Sequence, residues 1–182
     1  KASLEKLSAR YGLEIVNAQV FDTTDSDVSV QLTKIKGSAP QAVVCWTIGG
    51  IGAIVTKNFR QLGLSMPLIH CHGQADPKYL ELAGSAAEGT ILPTTKLMVL
   101  DQIAKNDPQF AVLTKFKDDY ENKKKIGKTG AHSGYAWDAM QLLALGLKKS
   151  GGHGGLALAK AIEGIKGYVG VSGVYTMSAQ DH

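Results

Sequence analysis

Residues 41–73, QAVVCWTIGGIGAIVTKNFRQLGLSMPLIHCHG, read as a buried strand, a glycine turn, a helix and a second buried strand. The apolar runs Ala42–Val44 and Leu68–Ile69 are too short and unbroken for a surface helix. Between them Ile54, Val55, Asn58, Phe59 and Leu62 recur at helical spacing, and Gly63 follows as a stop. Two parallel strands this far apart must be joined by a crossover helix, and a right-handed one. That places Trp46, Thr47 and Ile48 beside His70, Cys71 and His72 at the carboxyl ends of neighbouring strands, the edge where open α/β sheets bind small ligands.

Working outward, Leu4, Leu7 and Tyr11 before Gly12 predict an amphipathic helix closed by glycine. Leu13–Phe21 alternates as a strand would, and Thr23–Asp27 offers N-caps for a helix through Val28, Leu32 and Ile35. Asp76 and Pro77 open a short helix ending near Gly84, and Glu88–Leu92 predicts another short strand. The order α-β-α-β-α-β-α-β is one wing of a three-layer, doubly wound parallel sheet. It begins with a helix that no strand precedes, so the chain reads as an incomplete piece of its fold.

From about Pro93 the pattern changes. Leu97–Ile103 is mixed, Asp107 and Pro108 open a helix through Phe110, Leu113, Phe116 and Tyr120, and a longer helix carries Tyr135, Met140, Leu143 and Leu147. After the glycine-rich turn 151–155 comes a helix with Leu156, Leu158, Ile162 and Ile165, and Tyr168–Met177 closes as a strand or extended segment. Three helices without intervening strands need another surface to cover.

The totals exclude several classes. At 182 residues, 44% hydrophobic and 20% charged, the composition is that of a globular protein. No apolar run approaches the roughly 20 residues that cross a bilayer. No initiator Met or signal peptide is present, so the chain is expected to be processed, truncated or both. The net charge is +4, but the one dense basic run, Lys123, Lys124 and Lys125 with Lys128, lacks interleaved aromatics and any nucleic-acid motif. It reads as a cationic last helical turn, and no nucleic-acid partner is expected. Two cysteines make no disulfide framework, and free buried thiols are expected.

The segments VVCWTIGGIGAIVTKNFRQLGL, PLIHCHGQADPKYLELAGSAAEGTIL, DPQFAVLTKFKDDY, GYAWDAMQLLALGL and GVSGVYTMSAQDH together resemble the carboxyl-terminal half of a periplasmic solute-binding protein of the leucine/isoleucine/valine-binding family. The resemblance implies a two-lobed protein that holds its ligand between the lobes, with the chain crossing the hinge three times. It implies that residues 1–92 form the carboxyl-terminal lobe without its first strand. Residues 93–173 would be helices that cover the amino-terminal lobe, and 174–182 a return segment. It further implies a small carboxylate or amino acid as ligand and an ABC permease in the membrane as partner. The missing amino-terminal half would be the other partner. The location would be periplasmic, or extracytoplasmic with a lipid anchor in a Gram-positive host.

Site residues follow from both readings. By the resemblance, Ile48 stands where amino-acid-binding relatives offer an aromatic side chain, and His72 where they place an acid against the ligand ammonium. Histidine, neutral or cationic, does not replace a carboxylate there, which suits a ligand without an α-amino group or one with a second acceptor. Trp46 could supply an aromatic wall or pack in the core. Thr47, Gly49 and Gly73 complete the expected wall. At Gly49 the absent side chain lets backbone approach the ligand at a helix N-terminus. His72 is alternatively an ordinary loop residue bonded to backbone.

Competing chemistries find less support. His70 and His72 alternate onto one face with Cys45 nearby, but no fourth donor completes a zinc site, so neither metal nor cofactor is implied. Gly49, Gly50 and Gly52 form GGxG and not the dinucleotide spacing. There is no nucleophile elbow, and a thiolate at Cys45 or Cys71 would need a chance pairing with histidine, so no enzyme is expected. A sensor domain of similar fold is the alternative function.

Overall fold

The computed structural model describes residues 2–181. They divide into two compact units, 2–74 with 78–93, and 75–77 with 94–181.

In the first unit α1 (Ala2–Ser8) runs into a short 3₁₀ turn that Gly12 closes at φ +65°. The expected apolar face is not buried, and Leu4, Leu7 and Tyr11 are exposed. Helix α2 (Ser29–Gly37) starts where Asp27 Oδ1 accepts the Ser29 N–H at 2.9 Å. Strand β1 (Val43–Cys45), helix α3 (Ile51–Gln61) and strand β2 (Leu68–His70) follow in the order read from the sequence. The strands pair in parallel, Val43 opposite Leu68 and Cys45 opposite His70. Helix α4 (Pro77–Ala83) has proline as its first residue, where its missing N–H is harmless.

Helices α2 and α3 cover one face of the ladder. Val28, Leu32, Val43, Val55, Phe59 and Leu68 form its core. Phe59 and Leu68 are fully enclosed, and burying such a side chain contributes about 1.5–3 kcal/mol.

Two expected strands are corrected. Residues 13–21 form no ladder. Asn17 Nδ2 instead donates to the Lys34 carbonyl (3.2 Å) and to Ser38 Oγ (2.5 Å), which ties the segment to α2. The second, 88–92, contracts to one parallel bridge between Ile69 and Ile91. The edge of β1 away from β2 is therefore unpaired among the described residues, since Val43 and Cys45 spend their backbone groups on the β2 side.

The second unit contains a 3₁₀ segment at Lys96–Gln102, α5 (Phe110–Lys117) and α6 (Ala131–Lys149). Helix α7 (Gly155–Glu163) follows, then an antiparallel pair, β3 (Tyr168–Val169) and β4 (Val174–Tyr175). The closing segment is thus a hairpin and not one strand. Leu97, Leu113, Phe116 and Val171 make the core here. Met140, Leu143, Leu147 and Leu156 on α6 and α7 remain exposed.

Candidate functional site

Strand β1 ends at Cys45, and the chain turns through Trp46–Gly50 into α3. Gly49 adopts φ +73°, a conformation that strains any side chain even though a Cβ would meet nothing within 4 Å. Glycine therefore has a backbone reason at this point beside the expected one, room for a ligand to approach. The first turn of α3 begins at this end of the sheet, its Gly52 and Ala53 N–H groups already donating to the Gly49 and Gly50 carbonyls at 3.3 and 3.1 Å.

Strand β2 ends at His70 and passes through Cys71 into a 3₁₀ turn, His72–Gln74. The two strand ends are locked at one atom. The Thr47 carbonyl accepts from Gln74 Nε2 at 3.0 Å and from Cys71 Sγ at 3.1 Å. Close packing reinforces the lock, because a Cβ on Gly73 would lie 2.5 Å from Ile48 Cγ2 and 3.1 Å from that same carbonyl oxygen. Thr47, Ile48 and Gly73 are therefore in direct contact range.

The remaining expected residues fall as follows. Trp46 is 76% and Ile48 67% exposed, so Trp46 is not core packing within this unit. His72 is exposed and makes no hydrogen bond among the described residues, unlike a loop histidine tied to backbone. His70 does not share its face. The strand stops at His70, so the two-residue alternation does not reach His72, and the His70 ring is 1% exposed beneath α3. Among the described residues no three His, Cys, Asp or Glu side chains gather to hold an ion.

Sequence reading missed the buried polar set that supports this wall. Thr56 Oγ1 donates to the Gly52 carbonyl at 2.9 Å and stands 2.9 Å from His70 Nε2 and 3.0 Å from the Tyr79 hydroxyl. Its single proton being spent on Gly52, its oxygen accepts from both neighbours. With that arrangement the imidazole proton belongs on Nε2, and Nδ1 is buried with no hydrogen-bond partner among the described residues. Burial lowers the His70 pKa to about 4. The only sequence signal for this set is small and polar residues inside an otherwise apolar helix and strand, at Gly52, Thr56 and His70.

A pH dependence follows. In the unfolded chain His70 titrates near 6.5, so between pH 6.5 and 4 the unfolded state binds more protons than the folded one. The stabilisation is complete above about pH 6.5 and fades as pH falls toward 4, by up to about 3 kcal/mol. Urea midpoints measured from pH 7.5 to 4.5 should decline steeply in the native protein and less in a His70→Asn variant. Parallel profiles would show that His70 is not the titrating group.

The Cys45 thiol is not an activated nucleophile. Burial, with Cys71 adding to it, pushes the Cys45 thiol up to about 12, so it stays protonated at neutral pH. Both cysteines are buried and free.

A family model described as periplasmic binding protein matches residues 1–182. No curated protein matches the chain significantly. Among solved structures, an extracellular ligand-binding receptor from Rhodopseudomonas palustris is similar over 97% of this chain and 51% of its own, with a TM-score of 0.87 and 21% identity. A leucine binding protein from Thermotoga maritima matches 94% of this chain and 46% of its own, at TM-score 0.78 and 22% identity. A branched-chain amino acid transporter substrate-binding protein from Streptococcus pneumoniae, in complex with isoleucine, matches 96% and 48%, at 0.75 and 20%. The chain spans about half the length of these structures.

Proposed function

The chain belongs to the periplasmic binding protein family, and from that premise we propose that it is part of the extracytoplasmic solute-binding component of an ABC importer. Its fold is the α/β fold of type I periplasmic binding proteins, of which it spans about half. The family consists of solute-binding proteins and not enzymes, and among the described residues no helix is long and apolar enough to cross a membrane.

The single observation that carries the reading is the locked strand-end wall. The Gln74 and Cys71 side chains hold Thr47, a positive φ sets Gly49 and close packing against Ile48 sets Gly73, while Trp46, Ile48 and His72 are exposed. A rigid wall with exposed side chains beside a helix N-terminus suits a small anion-bearing solute. The ligand is a small carboxylate, either an aromatic or other acid lacking an amino group or a branched-chain amino acid. Ile48 and His72 favour the first class, and the leucine- and isoleucine-binding neighbours favour the second. In this reading 1–92 is the carboxyl-terminal lobe, whose unpaired β1 edge awaits a strand. Residues 93–173 carry helices, with Met140, Leu143 and Leu147 exposed, that cover the other lobe, and 174–182 returns from it. An ABC permease receives the solute.

Binding calorimetry of the full-length protein against amino acids and aromatic acids tests this. Saturable one-to-one binding of a carboxylate is expected, and no binding across both classes would sink the proposal. His72→Glu should supply an ammonium partner and shift preference toward α-amino acids about tenfold or more, since a charge-assisted hydrogen bond contributes roughly 1.5–3 kcal/mol. An unchanged ratio between matched ligands with and without the amino group would place His72 outside the site.

A further inference from the structure

Helix α4 is held to the first unit by few contacts. Of its residues only Tyr79 and Ala83 are buried, and they pack on Ala53 in a small cluster apart from the main core of Phe59 and Leu68. Leu80 and Glu81 face solvent. An element with so little buried apolar contact opens at low cost. Yet Tyr79 closes the enclosure of His70. Its ring meets the imidazole edge-on at 5.3 Å, and its hydroxyl stands 3.0 Å from Thr56 Oγ1. Toward the end of the helix Leu82 reaches the wall turn, its Cδ1 lying 3.7 Å from where a Cβ on Gly50 would stand.

The group enclosed beneath α4 is one whose charge changes with pH. Tyr79 faces the imidazole from α4 and Thr56 from α3, Cys45 stands opposite in register on β1, and Cys71 follows in the chain. Among the described residues no carboxylate or ammonium acts on the ring, and burial alone lowers its pKa. The Nε2 proton is spent on Thr56. A second proton would sit on Nδ1, which is buried with no partner, and an unpaired cationic N–H is costly there. With α4 lifted, water reaches Nδ1 and the ring titrates near its ordinary value.

We propose that α4 is an acid-released lid: protonation of His70 favours a form in which α4 has lifted from the end of β2 and from the wall turn at Gly50. Closed, the lid packs the neutral imidazole behind the turn His72–Gln74, whose Gln74 holds the Thr47 carbonyl. Open, that turn loses the packing behind it. An effect on solute capture rests on the strand-end wall being the solute site, but the lid itself does not, and its test needs no solute.

That test is amide hydrogen exchange of the full-length protein, corrected for the intrinsic pH dependence of exchange. From pH 7 to pH 5 the open form should gain about twentyfold, as linkage requires of a group that titrates near 6.5 when open and about 4 when closed. Protection of the α4 amides should fall by that factor, while α2 in the same unit and α5 in the second keep theirs. His70→Gln retains an N–H donor for Thr56 and does not titrate, so its α4 protection should not depend on pH. Tyr79→Phe keeps the ring and loses only the hydroxyl. It should lower α4 protection at both pH values and preserve the twentyfold response, which keeps the test decisive should the glutamine variant not fold. Unchanged α4 protection in acid, a response that survives in His70→Gln, or one that vanishes in Tyr79→Phe would overturn the proposal. So would an equal loss of protection in α2, because the whole unit would then be unfolding.

Discussion

Adding one methyl group at Gly52 will destabilise the first unit by about 2–3 kcal/mol, as overpacking of a closed core does. A Cβ there would overlap the side-chain amide of Gln74. That amide cannot give way cheaply. Gln74 is 2% exposed and its Nε2 holds the Thr47 carbonyl at 3.0 Å. Swinging it aside would abandon a buried hydrogen bond and leave polar groups unpaired, at about 1–3 kcal/mol. Gln74→Ala alone should cost about 1–2 kcal/mol, because Thr47 keeps the weaker Cys71 donor. The double variant is the decisive measurement. Alanine at 74 opens the space that the new methyl needs, so Gly52→Ala in that background should cost less than about 1 kcal/mol. Urea unfolding of the four full-length proteins closes the cycle, and additive costs would show that the overlap is not what excludes a side chain at 52. Solute affinity should fall with Gly52→Ala and recover only in part, since Thr47 is no longer pinned from both sides.

The same contacts explain which parts of the molecule were legible in the sequence. The unit from Val43 to His70 was readable because each signal is local: two short apolar runs, a helical repeat, and a glycine at each boundary. The strand expected at 13–21 carried a comparable alternating pattern but does not form. A strand is a property of a pair, and with the β1 edge unpaired Asn17 takes its hydrogen bonds from α2 instead. The chain's closing segment, expected as a strand or extended segment, is a hairpin, and Gly170 and Gly173, which interrupt it, flank the turn between β3 and β4. Of the candidate site residues, Thr47, Ile48 and Gly73 lie within contact range, and Trp46 and His72 are exposed near them in sequence. Gln74, Thr56 and Tyr79 could not be read, because what they do depends on partners 14 to 27 residues away. His70 and His72 were read as a pair by a rule that holds only while the strand continues, and it ends at His70.

Loss of the Asp138 carboxylate should cost the second unit about 4 kcal/mol, the upper range for a point substitution. Asp138 sits on α6, 1% exposed, and serves three donors. Its Oδ1 accepts the Val171 N–H at 2.8 Å, and its Oδ2 accepts the Ser172 N–H at 2.6 Å and the Tyr175 hydroxyl at 3.0 Å. The turn joining β3 to β4 is therefore held to the helix by one side chain. The fit leaves no spare room, as a Cβ on Gly170 would stand 2.7 Å from the carboxylate. Asp138→Ala leaves two backbone N–H groups without an acceptor, Val171 being fully enclosed, and each such orphan costs about 1–3 kcal/mol. Asp138→Asn should rescue little, because its amide turns a donor toward donors. Tyr175→Phe, which removes only the third bond, should cost about 1 kcal/mol. A pH arm separates that bond from the rest. Burial, and then the neighbouring Asp138, raise the Tyr175 hydroxyl to about 12. Its folded pKa thus exceeds the unfolded value near 10, so its contribution is complete below pH 10 and is lost as pH rises toward 12. Wild-type stability should therefore fall more steeply than that of Tyr175→Phe across that interval. Should Asp138→Ala unfold at the wild-type denaturant concentration, the hairpin would have to be held by Gln109, whose Nε2 donates to the Gly170 carbonyl at 2.9 Å, and the same cycle repeated on Gln109 would then carry the loss.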